Sequence, residues 1–135
     1  MTYDFKTEST YQQYFGKAHN MVRKSVREFV NKEVLPYIDD WEEAGEFPVE
    51  IYKKAGDIGI LGIGYPEEYG GTPGDVFFRI AVTEELMRSS SGGFCAGLGS
   101  LNIALPPILS LGTEEQKKKF ILPVLAGERI AALGI

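Results

Sequence analysis

Histidine, cysteine and tryptophan each occur once in this 135-residue sequence, as His19, Cys95 and Trp41. That scarcity removes several chemistries at the outset. A single cysteine cannot close an internal disulfide, and a reducing cytoplasm is the compartment it suggests. One histidine and one cysteine make no zinc-ligand spacing. Nucleophilic catalysis of the Ser-His-Asp or Cys-His kind needs a base oriented by a third group. His19 falls on a predicted helix among polar neighbours and reads as a surface residue, and Cys95 reads as a small core residue. Basic residues are also short, with 14 Lys and Arg against 19 Asp and Glu and a net charge of −5. That balance argues against binding nucleic acid, which needs clustered cations. The one basic run, Lys117-Lys118-Lys119, follows Glu114 and Glu115 and reads as a solvated helix face. Met1 to Glu8 is polar, without the apolar core of a secretory signal, and its Asp4 and Glu8 do not suit a transit peptide. The glycines at 92, 93, 97 and 99 follow no strand in the dinucleotide pattern, and no Lys-Ser/Thr pair completes a P-loop.

What remains is an ordinary globular composition, 44% apolar and 24% charged. A chain of this length makes one domain and buries roughly two-thirds of its unfolded surface. Its patterning is almost wholly helical. Ser9 or Thr10 is placed to cap a first helix running to about Val34, with Val22, Val26, Phe29, Val30 and Val34 as the buried stripe. Arg23, Lys24, Arg27, Glu28 and Lys32 fall on its other side. Pro36 ends or kinks that helix. A second helix from Tyr37 to Ala44 stops at Gly45, and a third begins at Pro48. Ile58 to Gly74 is rich in glycine and proline and reads as loop. Asp75 caps a fourth helix with Val76, Ile80, Thr83 and Met87 on one face. Thr113-Glu114-Glu115-Gln116 is a capping box for the last helix, whose core face is Phe120, Ile121, Val124 and Leu125. Beyond Gly127 the run Arg129 to Ile135 changes character and reads as the start of a strand.

Gly92 to Leu111 carries no charge and mixes glycine with large apolar residues. It has the length of a membrane span. Its glycines and the pair Pro106-Pro107 favour instead a central helix buried on most sides. Neighbouring carboxylates (Asp39-Asp40, Glu42-Glu43, Glu67-Glu68, Glu84-Glu85, Glu114-Glu115) point about 100° apart on a helix and form no acid/base dyad by themselves. One of Glu84 and Glu85 is expected to face inward. Taken residue by residue, these features define a soluble helical domain around an apolar, glycine-rich central helix.

Several stretches in order then add to that reading. They are Ser25-Val26-Arg27-Glu28-Phe29 with Glu33-Val34-Leu35-Pro36, Trp41-Glu42 with Gly45 and Phe47-Pro48, and Lys54-Ala55-Gly56. Gly59-Ile60-Leu61-Gly62-Ile63 and Pro66-Glu67-Glu68-Tyr69-Gly70-Gly71 come next, then Glu84-Glu85-Leu86. Leu111-Gly112-Thr113-Glu114-Glu115-Gln116-Lys117, Leu122-Pro123, Gly127-Glu128 and Ala131-Ala132-Leu133 complete the series. In order and spacing the chain resembles the amino-terminal domain of the acyl-CoA dehydrogenase family. The resemblance implies an all-α bundle of about six helices over residues 1–127, with 128–135 beginning a strand of a following β-domain, and a second helical bundle after it. It implies an oxidoreductase in which a carboxylate takes a proton α to a thioester carbonyl and FAD takes the β hydride, giving a trans-2-enoyl-CoA. The family's base is a glutamate of its carboxy-terminal bundle, and no residue of this chain matches it. The Thr-Glu-Pro-x-x-Gly-Ser-Asp stretch that begins the main flavin contact would start just after Ile135.

By the same resemblance Leu133, Gly134 and Ile135 align with the start of the flavin-contacting strand. Phe94, Cys95, Ala96, Leu98 and Gly99 align with the wall of the acyl pocket, where small residues imply a roomy slot for a long, branched or cyclic acyl group. Plain strand core and close helix packing are the competing roles of the two sets. The implied partners are an acyl-CoA, an electron-transfer flavoprotein as acceptor, and further copies of the full-length chain, with no nucleic acid and no membrane span. The domain alone is expected to be inactive and to self-associate through exposed apolar surface. An acyl-CoA oxidase or a nitroalkane-oxidising relative shares the pattern, and a helical interaction module without flavin is the alternative of a different class.

Overall fold

The computed structural model describes residues 13–134. The expected cap at Ser9 or Thr10 and the candidate contact Ile135 lie outside them. Among the described residues seven α-helices form one bundle: α1 Lys17–Phe29, α2 Ile38–Ala44, α3 Glu50–Asp57, α4 Val76–Leu86, α5 Gly92–Gly99, α6 Leu101–Leu111 and α7 Glu114–Leu125. Helices α5 and α6 are two halves of one rod interrupted by a turn at Ser100, so the expected six rods are present. No strand occurs among the described residues, and residues 128–134 take no regular element.

Each boundary has a local cause. A wide turn over Val30–Val34 prolongs α1, with Leu35 N–H donating to Val30 O, before Pro36 removes the next donor. Gly45 ends α2 at a φ of +74°, a conformation that costs glycine nothing. The Asp75 carboxylate accepts from the N–H groups of Phe77 and Phe78, and the Thr113–Gln116 capping box closes in both directions. The expected loop from Ile58 to Gly74 is irregular but packed. Two short 3-10 turns and an isolated Ile63–Thr72 bridge bury Tyr65 and Tyr69, and the Tyr65 hydroxyl donates to Leu101 O.

Helices α1 and α4 lie along one another, and α6 packs on α7. The core joins Val26, Phe29, Val30 and Val34 to residues of every other rod. Each such side chain contributes roughly 1.5–3 kcal/mol of burial. Helix α3 meets the end of α7 backbone to backbone. A Cβ on Gly127 would lie 2.0 Å from Tyr52 O, and one on Gly56 would lie 2.4 Å from the Ala126 carbonyl carbon.

Three expectations are corrected. Helix α4 buries Ala81, Val82, Glu85 and Leu86, while Val76 and Met87 are exposed. Its apolar residues run nearly all round, so spacing alone leaves the inward face open, and the face that is buried carries Glu85 into an ion network beside Ala81, Val82 and Leu86. Arg23 and Arg27 are not surface residues. Arg27 holds Glu85 in a two-pronged contact, Nε to Oε2 at 2.8 Å and Nη2 to Oε1 at 2.6 Å. The buried Arg23 lies 2.6 Å from Glu84 and 3.4 Å from Glu85. Finally, the Gly92–Leu111 stretch is not buried on most sides, since only Phe94, Leu98, Leu101 and Leu105 in it are buried. It is long and apolar enough for a span by length and composition, but its inner stripe, Phe94, Leu98, Leu101 and Leu105, packs into the domain core.

Candidate functional site

The half-open rod α5–α6 is where the candidate residues gather. Ser91 sets its start, accepting from Phe94 N–H at 3.0 Å while its own hydroxyl donates to Glu42. Glycine at 92 and 93 lets the first turn form without side chains. From there helical spacing sorts the residues. Phe94 and Leu98 are buried, with Phe94 edge-on to Phe47 at 5.1 Å. Ala96 is exposed and Gly99 half-buried. A Cβ on Gly99 or Gly92 would meet nothing within 4 Å. Cys95 sits at the edge, half-buried, its Sγ 3.8 Å from Ser89 Oγ, and burial pushes its thiol up.

Of the five expected wall residues, Ala96 and Gly99 therefore face outward, Cys95 flanks them, and Phe94 and Leu98 serve the interior. Gly92 and Ile103 share the outward face, and Ile103 is 62% exposed. Sequence reading passed over these two. The spacing 92, 96, 99, 103 was the signal that could have found them.

Two hollows flank the rod. A cavity of about 90 Å³ beside Cys95 and Gly99 lies between it, α4 and the Ile60–Ile63 segment. A larger one of about 340 Å³ opens between α2, Tyr52 and the start of α5.

The chain leading to Leu133 and Gly134 is tied to the same rod. The Ser100 hydroxyl, at the break between α5 and α6, lies 2.7 Å from Ala131 O and 2.9 Å from Gly97 O. Its single proton serves one acceptor at a time. Leu133 is 55% exposed, Gly134 is exposed, and a Cβ on Gly134 would meet nothing. Leu133 and Gly134 thus follow that contact with an exposed apolar side chain and open backbone.

The other candidates resolve as structure. His19 is half-buried, its side chain 13% exposed. Its ring lies 4.1 Å from that of Phe78, its Nδ1 accepts from Gly16 N–H at 2.9 Å, and its Nε2 lies 2.9 Å from Asp75. With Nδ1 accepting, Nε2 carries the proton and donates to the carboxylate. Glu85 faces inward as expected of that pair, but arginines hold it on several sides, so it is no free base. Among the described residues no group of three or more His, Cys, Asp or Glu stands ready for a metal.

Comparison with known proteins agrees with this architecture. Residues 16–128 match the family model for the acyl-CoA dehydrogenase N-terminal domain. The chain is 38% identical over 129 residues to the mitochondrial long-chain specific acyl-CoA dehydrogenase of Rattus norvegicus, covering 96% of this chain and 30% of that one. A solved acyl-CoA dehydrogenase from Geobacillus kaustophilus superposes with a TM-score of 0.78 at 36% identity, over 87% of this chain and 31% of that one. One from Bacillus anthracis, complexed with FAD, gives 0.79 at 37% identity, over 88% and 20%. The chain belongs to the acyl-CoA dehydrogenase family, as its all-helical amino-terminal domain. It spans about 30% of the length of the long-chain relative it matches.

Proposed function

We propose that this domain belongs to an FAD-dependent dehydrogenase that converts an acyl-CoA thioester to its trans-2-enoyl-CoA, and that α5–α6 forms one wall of its acyl slot. The observation that carries the reading is the outward face of that rod. Gly92, Ala96 and Gly99 line an apolar surface with almost no side chain, and the Ser100–Ala131 contact starts the segment toward Leu133 and Gly134 from beside it. Wall and cofactor rim are thereby neighbours. An acyl tail laid along this face would lose water against apolar surface, at about 25 cal/mol per Å².

FAD, when bound, supplies the two-electron acceptor for the β hydride. This chain's part is to exclude water along the tail, to set slot depth through residues 96 and 99, and to offer Leu133, Gly134 and Ile135 as the rim. In this reading the base comes from elsewhere in the full-length protein, and the domain alone is inactive. A reducing cytoplasm, an electron-transfer flavoprotein as acceptor and a homo-oligomeric full-length protein complete the proposal.

The test uses the full-length gene product with saturated acyl-CoAs of graded length and an artificial electron acceptor. Flavin absorbance in the purified protein and enoyl-CoA formation are expected. Replacing Gly99 by leucine, which the open space around it tolerates, should shift the preference toward shorter acyl groups. A colourless protein that turns over no acyl-CoA overturns the proposal and leaves a helical interaction module.

A further inference from the structure

The larger hollow, which shares no lining residue with the cavity beside Cys95, has a composition that the acyl slot does not use. Its walls include Trp41, Phe47, Tyr52 and Phe94. The rings touch one another: Trp41 to Phe47 at 6.0 Å, Phe47 to Tyr52 at 5.4 Å, and Trp41 to Phe94 at 6.1 Å between centroids. Glu42 and Glu46 complete the lining, and no lysine or arginine belongs to it.

The imbalance of charge extends around the cavity. Between Lys32 and Lys53 the sequence has seven carboxylates and no lysine or arginine. Glu33 alone among them forms ion pairs, with Lys32 and Lys54. Asp39, Asp40, Glu42, Glu43 and Glu46 have no cationic partner among the described residues. Glu42 is nonetheless held in place. One of its oxygens accepts the hydroxyl of Ser91, which is 2% exposed and caps α5. The cavity therefore presents aromatic rings and a positioned carboxylate that no cation among the described residues answers.

We propose that this cavity receives the side chain of an arginine on a partner protein. A guanidinium is planar and weakly hydrated, stacks on aromatic faces and bonds a carboxylate through paired N–H groups. An apolar tail would strip water from Glu42 and Glu46 without replacing its hydrogen bonds. A divalent cation would want six or more oxygens, not two carboxylates among rings. A compact ammonium makes the ion pair but not the stacking. An anchor side chain in a pocket is also how a small number of residues come to dominate a protein interface.

Trp41, the only tryptophan, lines the cavity and serves as the reporter. The 135-residue chain would be titrated with an acetylated, amidated Gly-Arg-Gly peptide while the fluorescence and indole N–H resonance of Trp41 are followed. The same peptide carrying citrulline, neutral and of nearly the same shape, is the control, and a lysine peptide is the second. Arginine should give a saturable shift that salt weakens, with citrulline binding at least about tenfold more weakly. Exposed Glu46 replaced by glutamine should weaken the arginine response several-fold without altering the fold. Asp39→Asn, on α2 outside the cavity lining, should leave it nearly unchanged. Equal curves for arginine and citrulline, no saturable response, or equal losses for Glu46→Gln and Asp39→Asn would each overturn the proposal, the last by reducing the effect to general attraction by an acidic surface. Equal binding of lysine and arginine would overturn the assignment to a guanidinium.

Discussion

Replacing Glu85 by alanine should cost this domain more than deleting any one of its core methyl groups. Glu85 is 1% exposed and its carboxylate receives both prongs of Arg27, with Arg23 at 3.4 Å and Arg88 at 3.6 Å. Arg23 is itself 5% exposed and would retain only Glu84. Removing the central carboxylate of a buried charge network takes from its arginines the partner that offset their desolvation, at about 3–5 kcal/mol. A domain of this size has about 5–15 kcal/mol in total, so the variant keeps a fraction of its margin and melts lower by roughly 10–20 °C. Urea titration followed by far-ultraviolet circular dichroism measures the loss. The companion variant carries Arg27→Met together with Glu85→Leu. It removes the tightest pair and fills the space with apolar atoms, and it should lose less than Glu85→Ala alone. A cost below about 1 kcal/mol for Glu85→Ala would mean that water solvates the network. A double variant worse than the single would mean that the pair itself, not the unpaired remainder, carries the stability.

Gly127→Ala should be destabilising by about 1–3 kcal/mol from its left-handed backbone alone. The clash of the new Cβ with Tyr52 O adds to this, and thermal melting would show it. The Asp75 carboxyl is held below its ordinary 3.8, chiefly by the hydrogen bond from His19. Its contribution is therefore present above that value and is lost as pH falls through the lower folded one. Urea midpoints measured at stepped acid pH should fall less steeply in Asp75→Asn. Tyr69 donates to Glu114, and that bond pushes its phenol from 10.0 up to about 12. The associated stability is full below 10 and is lost as pH rises through about 12. Tyr69→Phe should flatten that alkaline decline, and ultraviolet titration should show it losing one of the late-ionising tyrosines, a group that also includes the buried Tyr52 and Tyr65.

Most helix ends were legible because they are set by neighbours in sequence; the start of α1 was not, since the helix begins at Lys17 after a Gly16 cap and not at Ser9 or Thr10. Asp75, Thr113 with Gln116, Gly45 and Pro36 each act within one turn, and each stands where it was expected. The buried stripe of α1 was legible for a related reason, since its apolar spacing has one reading. The inward face of α4 was not. Phe77, Phe78, Ile80, Ala81 and Val82 make the helix apolar nearly all round, and the buried face carries Glu85 to arginines more than fifty residues earlier in the chain. His19 was misjudged the same way, because Asp75 and Phe78 reach it from a different helix.

The candidate wall divides along the same line. Sequence alone determined that an uncharged rod from Gly92 to Leu111 exists, that small residues cluster in it, and which family it belongs to, since composition and motif order are properties of the chain. Only the tertiary structure decided that Phe94 and Leu98 turn inward while Ala96 and Gly99 turn out, that Ser100 interrupts the rod, and that Ala131 returns to that break. Helical periodicity separates the faces of a rod, but which face meets the core depends on the surfaces that other rods present to it.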